Sequence, residues 1–124
     1  MTSTKEKSNN LIKSDLENEL KKSIQGEVKF DDIYRQMYST DGSIYSMTPI
    51  GVTLPKNADD VTAIIDICNK SNTAILPRGG GTSLSGQTVN SAVVIDFSKY
   101  MNNVIEINPE EKYVITQPGI TIDN

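Results

Sequence analysis

Six residues, Ala92 to Phe97, constrain the fold of this chain more than any others. A strand with one wet face alternates apolar and polar side chains. A near-continuous run such as Ala-Val-Val-Ile-Asp-Phe is expected of a strand covered on both faces. What lies upstream suits that demand. Gly51 to Leu54 reads as a strand closed by Pro55. Asn57 then offers a helix cap, with Asp59 and Asp60 in the first turn, where the amide dipoles favour negative charge. Val61, Ile64, Ile65 and Cys68 follow the i, i+3, i+4, i+7 stripe of an amphipathic helix. Asn69 to Asn72 supplies its stop, and Thr73 to Leu76 reads as a short strand. A strand–helix–strand unit favours a right-handed parallel crossover.

Either side of this unit the pattern changes. Val104 to Ile107 and Lys112 to Gln117 read as alternating strands around Asn108-Pro109, which predicts a hairpin. At the other end, Met1 to Asn10 is polar and expected to fray. Leu11, Ile12, Leu16, Leu20 and Ile24 then recur at near-helical spacing, with Lys21 and Lys22 near the end and Gly26 as the stop. A second short helix is expected after Asp31 or Asp32, carrying Ile33, Tyr34, Met37 and Tyr38. This region reads as a packing arm, with Arg35 and the tyrosines assigned to packing. Ser39 to Pro49 is turn-rich and irregular, and no internal repeat is visible.

Between the two inner strands lies Ile75 to Thr88, "ILPRGGGTSLSGQT". Gly79, Gly80, Gly81 and Gly86 fall within eight residues, more than a simple turn needs. The P-loop pattern fails at Gln87, where a lysine should reach the phosphates, and the chain beyond reads as extended rather than helical. The dinucleotide pattern G-x-G-x-x-G fails at Leu84. A third possibility is a diphosphate cradle of another kind. Backbone N–H groups freed of Cβ atoms can point into one concavity, and Thr82, Ser83 and Ser85 can add hydroxyl donors. Arg78 either adds charge to that cradle or pairs with a carboxylate inside the protein.

Composition narrows the remaining classes. Twelve basic against 16 acidic residues, a net charge of −4, argue against a nucleic-acid binder. The chain has no histidine, so zinc sites built on His and Ser-His-Asp triads are excluded, and no metal site is expected. Cys68 is the single cysteine; no internal disulfide can form, and its place on the apolar helix face marks a buried structural thiol. No apolar run approaches the length of a membrane span and the N-terminus has no signal-peptide core, so the expected compartment is the cytoplasm.

Val52 to Gly119 as a whole resembles the first part of the FAD-binding domain of the FAD-linked oxidases. That flavoprotein group includes vanillyl-alcohol oxidase and p-cresol methylhydroxylase. Within it, the likeness is to the D-lactate dehydrogenase and glycolate oxidase flavoprotein subunit branch. The residues that carry it are the loop, its preceding helix, "VVIDFSKYMNNV" and the "QPG" turn, in that order, with Asp41, Ser43, Tyr45 and Pro49 upstream.

The resemblance implies an α+β fold, the first half of a PCMH-type FAD-binding domain. A small β-α-β parallel sheet plus hairpin would occupy residues 38–124, preceded by an N-terminal helical arm over 1–37. It implies that Arg78, Gly79, Gly80, Gly81, Thr82 and Ser83 wrap the FAD pyrophosphate. Pro77 would shape the entry, and Leu84, Ser85, Gly86 and Gln87 would continue the wall. Relatives with covalent flavin use a histidine that follows the glycines; Thr82 stands there, so the flavin is expected to be non-covalent. In the family the domain continues past the "QPG" turn, so the catalytic residues are expected beyond Asn124, in a larger enzyme acting on a small 2-hydroxy acid. An iron–sulfur electron-transfer partner or fused domain is kept as a candidate partner of that larger enzyme. Strands left uncovered here would pair with another copy or aggregate. The competing expectation is a non-catalytic binding or assembly module.

Overall fold

The computed structural model describes residues 4–39, 48–79 and 92–121, with backbone alone for 4–12. Its elements are α1 (Thr4–Ser23), β1 (Glu27–Lys29), α2 (Asp32–Met37), β2 (Gly51–Leu54), α3 (Ala58–Lys70), β3 (Ile75–Arg78), β4 (Val93–Asp96), β5 (Val104–Asn108) and β6 (Tyr113–Thr116). The first four strands form one sheet in the order β1-β2-β4-β3, and β5 and β6 form a separate two-stranded sheet. β4 is parallel to both of its neighbours, and β1 is antiparallel to β2.

The apolar run at Ala92–Phe97 does what its composition demands. All four residues of β4 are buried. Val93 and Ile95 face α1 and α3, packing with Leu16, Leu20, Val28, Phe30, Ile64 and Cys68. Val94 faces the other way, with Val52 and Leu54, and Tyr38, Leu76 and Tyr100 pack against that side. β2–α3–β3 therefore skips one strand position, and β4 inserts into the gap. Thr53, fully buried in β2, satisfies its hydroxyl on the Val94 carbonyl at 2.8 Å.

Local signals set α3 as expected. The Asn57 side chain accepts from the Asp60 N–H at 2.9 Å, and Cys68 is fully buried. Burial pushes the Cys68 thiol up to about 11, which keeps it protonated and unreactive. The helix ends with Asn72 at φ 53°, a left-handed position that asparagine tolerates. Asp60 does more than complement a dipole. Its buried carboxylate accepts from Gln25 N–H (2.9 Å), Gly26 N–H (2.9 Å) and Lys56 N–H (3.0 Å), joining the end of the arm to the start of α3.

Three features differ from the sequence reading. α1 begins at Thr4, inside the polar stretch expected to fray. The arm contains a strand, β1, which pairs Glu27 with Leu54 and Lys29 with Val52. Three residues with one buried side chain carry no periodicity to read. β3 also lies two residues further on than Thr73 to Leu76. Thr73 is taken by the helix end, its N–H donating to the Cys68 carbonyl at 2.8 Å. Pro77 sits inside β3, in register with Ile95. Among the described strands β3 is the outermost, where a missing N–H costs least.

The expected hairpin forms, with a register irregularity between Val104 and Glu106. Asn108 accepts from the Glu111 N–H at 3.0 Å to close the turn, and Lys112 takes φ 58°. Beyond it, Gly119 N–H donates to the Met101 carbonyl at 2.8 Å. A Cβ at Gly119 would stand 2.2 Å from the Phe97 carbonyl oxygen, so only glycine lets this turn close on the end of β4.

Candidate cofactor site

β2, β3 and β4 are parallel, so their carboxyl ends share one edge of the sheet. Open parallel sheets bind ligands at this edge, where strand order reverses. Arg78 ends β3 and Asp96 ends β4, and the two are register partners. The chain leaves β3 at this edge, through Gly79, and enters β4 at the opposite one. The start of the glycine loop is therefore placed by topology rather than by its own residues.

Of the residues expected to wrap a diphosphate, Pro77, Arg78 and Gly79 are described. Gly80, Gly81, Thr82, Ser83, Leu84, Ser85, Gly86 and Gln87 lie outside the described residues. Pro77 and Arg78 belong to the strand and not to the loop. Pro77 is exposed and Arg78 half-buried.

Among the described residues Arg78 makes no ion pair, although Asp96 faces it in register. Asp96 is committed elsewhere. Its Oδ1 accepts from Ser98 N–H at 2.8 Å and Ser98 Oγ at 2.7 Å, and its Oδ2 accepts from the Tyr38 hydroxyl. The Arg78 guanidinium instead sits over the Tyr38 ring, 4.8 Å from its centroid. Burial, and then the hydrogen bond to Asp96, push the Tyr38 hydroxyl well above its ordinary range, so it remains a donor. Sequence reasoning assigned Tyr38 to packing. Its partner Asp96 is 58 positions away, and no local pattern links the two.

The "QPG" turn lies beside Gly79: the space a Gly79 Cβ would occupy is 3.5 Å from the Pro118 carbonyl oxygen. Next to it is a cleft of about 370 Å³ lined by Ser98, Asn102, Gly119, Ile120 and Thr121. Among the described residues no carboxylate lines the cleft, but Ser98 Oγ already donates to Asp96 and an Asn102 side-chain N–H to the Ser98 carbonyl at 2.8 Å. The donor at this edge that fits a diphosphate is the Arg78 guanidinium. A groove of about 380 Å³ between α1 and α3 is lined by Asp15 and Glu19 among others, which suits an anion poorly. Among the described residues no three Cys, Asp or Glu stand together as metal ligands would, and no helix is long and apolar enough to cross a membrane.

Comparison with known proteins gives the family and the fold. The FAD binding domain family matches residues 49–124, more than half of the chain. The chain is 36% identical over 102 residues to a D-2-hydroxyglutarate dehydrogenase of Pseudomonas putida, covering 80% of this chain and 10% of that one. It is 38% identical over 106 residues to the glycolate oxidase subunit GlcD of Bacillus subtilis, covering 81% of this chain and 22% of that one. The chain thus spans about a tenth to a fifth of the length of these relatives. Among solved structures, p-cresol methylhydroxylase with substrate bound superposes with a TM-score of 0.76 at 18% identity, over 89% of this chain and 23% of that one. That likeness establishes the fold: a mixed α+β unit with a small parallel sheet and a separate hairpin. The match over residues 49–124 leads to one conclusion: the chain belongs to the FAD binding domain family, and its cofactor is FAD.

Proposed function

We propose that this chain is the N-terminal FAD-binding part of a flavin-dependent oxidoreductase. Its substrate is a small 2-hydroxy acid of the D-lactate or glycolate type, and its FAD is held non-covalently by the glycine loop. The observation that carries this reading is the Arg78–Gly79 corner. A guanidinium with no carboxylate partner among the described residues stands at the carboxyl edge, where the glycine-rich segment begins. The similarity to a D-2-hydroxyglutarate dehydrogenase and to a glycolate oxidase subunit supports the substrate class.

Bound FAD would supply the two-electron oxidation of the alcohol carbon to a 2-oxo acid. This chain's own part is binding and orientation. Arg78 supplies positive charge to the diphosphate. Gly79 to Gly81 let backbone N–H groups approach it, and the Pro118-Gly119 turn forms the facing wall. Nothing in residues 1–124 is assigned to substrate or to proton transfer. Thr82 in place of a histidine supports non-covalent attachment. The relatives are several times longer, which leaves room for an iron–sulfur domain or partner as electron acceptor. A lone buried thiol fits a reducing compartment such as the cytoplasm.

The test is made on the complete protein. A flavin absorption band is expected, and acid precipitation should release the flavin to the supernatant. Gly80→Val should lose the flavin and keep the fold, because a β-branched residue closes the cradle. A folded protein without flavin, or a Gly80→Val variant with full flavin content, overturns the reading. The exposed apolar hairpin favours a second reading, an assembly module without catalysis. In that case the complete protein would carry no flavin and still bind a partner through β5 and β6.

A further inference from the structure

We propose that Tyr38 is a positioning residue for the cofactor: its ring holds the Arg78 guanidinium at the mouth of the glycine loop, and Asp96 holds Tyr38. The proposal rests on the reading of Arg78 as a diphosphate contact and goes beyond it.

An arginine and an aspartate in register on adjacent strands would ordinarily form an ion pair, and a bidentate pair would spend the guanidinium fork on the carboxylate. Here three donors occupy the carboxylate. Ser98 supplies two of them to Oδ1, and the Tyr38 hydroxyl takes Oδ2. Asp96 is buried, so these bonds form away from competing water. Among the described residues the guanidinium meets the face of the Tyr38 ring, 4.8 Å away. A cation over an aromatic face is held by the ring quadrupole and gives up none of its N–H donors. Stacking thus fixes where Arg78 stands and leaves its fork for an incoming anion. Tyr38 is itself set from two sides. Its N–H donates to the Tyr34 carbonyl at 3.2 Å, at the end of α2, while its ring packs on Val52, Leu54 and Val94. α2, β3 and β4 are joined through this one side chain.

The experiment is a double-mutant cycle on flavin affinity in the complete protein. Apoprotein is titrated with FAD for wild type, Tyr38→Leu, Arg78→Leu and the double variant. Arg78→Leu should weaken FAD binding. Tyr38→Leu should weaken it about tenfold when Arg78 is present and less than twofold when it is absent. A purely structural tyrosine would cost the same in both backgrounds, and that result overturns the proposal. So does a Tyr38→Leu variant that binds FAD like wild type while Arg78→Leu binds it poorly. If Arg78→Leu binds FAD as wild type does, the diphosphate role of Arg78 fails, and the positioning role with it. Should Tyr38→Leu not fold, Tyr38→Phe and Tyr38→Trp take its place. Both keep an aromatic face. Tyr38→Trp should retain affinity within about threefold, and Tyr38→Phe should lose no more than about fivefold through its lost anchor on Asp96. A tenfold loss in both overturns the role of the ring.

Discussion

β4 and β5 carry nearly the same residues, Val-Val-Ile-Asp and Val-Ile-Glu-Ile-Asn, and end in opposite environments. Every residue of β4 is buried, Val93 completely. In the hairpin, Ile105 is 65% exposed, Ile107 66% and Val114 55%. The strands form for the same reason, since β-branched side chains suit extended backbone. They differ in what covers them. β4 has α1 and α3 on one face, and Tyr38 and Tyr100 toward the other, whereas among the described residues β5 pairs only with β6. The lesson is that residue type chooses the strand and the neighbours choose the burial. An apolar area as open as this hairpin is the mark of a surface that something else covers.

The largest expected effect contrasts the two sheets directly. Ile95→Ala should cost about 3–4 kcal/mol in urea unfolding, through lost burial and a cavity between β4 and the helices. Ile107→Ala should cost about 0.5 kcal/mol or less. Equal losses would break the comparison. Gly119→Ala tests the joint between the sheets. Its Cβ cannot fit against the Phe97 carbonyl oxygen, and a loss of about 2 kcal/mol is expected. A neutral result would show that the hairpin can shift freely relative to β4.

Cys68 sharpens the buried side of the contrast. Its folded pKa is raised from 9 to about 11, so the unfolded thiol ionises first. The contribution is intact below pH 9 and is lost as pH rises toward 11. Wild type should lose on the order of 2 kcal/mol more than Cys68→Ala across that window, measured by urea unfolding at each pH. The smallest effect is in the hairpin turn. Lys112 holds φ 58°, and Lys112→Gly should relieve that strain and raise hairpin stability by up to about 1 kcal/mol. Hydrogen exchange at the β5–β6 amides would register it, and no change in the exchange of β4 is expected.

Much of the fold was legible because its signals are local. The stripe Val61, Ile64, Ile65, Cys68, the Asn57 cap and the turn at Asn108 each involve residues a few positions apart. The site was legible in part. The glycines and Arg78 stand out in the sequence, but Arg78 and Pro77 proved to be strand residues. Tyr38 carried no signal, because its meaning depends on Asp96 and Arg78 being brought to it.

The sequence by itself determined that β2, α3 and β4 would form, that β4 would be enclosed, and that a glycine-rich segment would follow the inner crossover. Periodicity, capping and β-branched content act through near neighbours, and a linear reading captures them. Only the tertiary structure decided that β4 lies between β2 and β3. It also recruited β1 to the sheet, where Glu27 accepts from Lys99 at 2.6 Å and Tyr100 at 2.5 Å. Strand order and the Tyr38–Asp96–Arg78 cluster follow from burying both faces of one strand at once. That condition couples residues tens of positions apart, and no short window of sequence contains it.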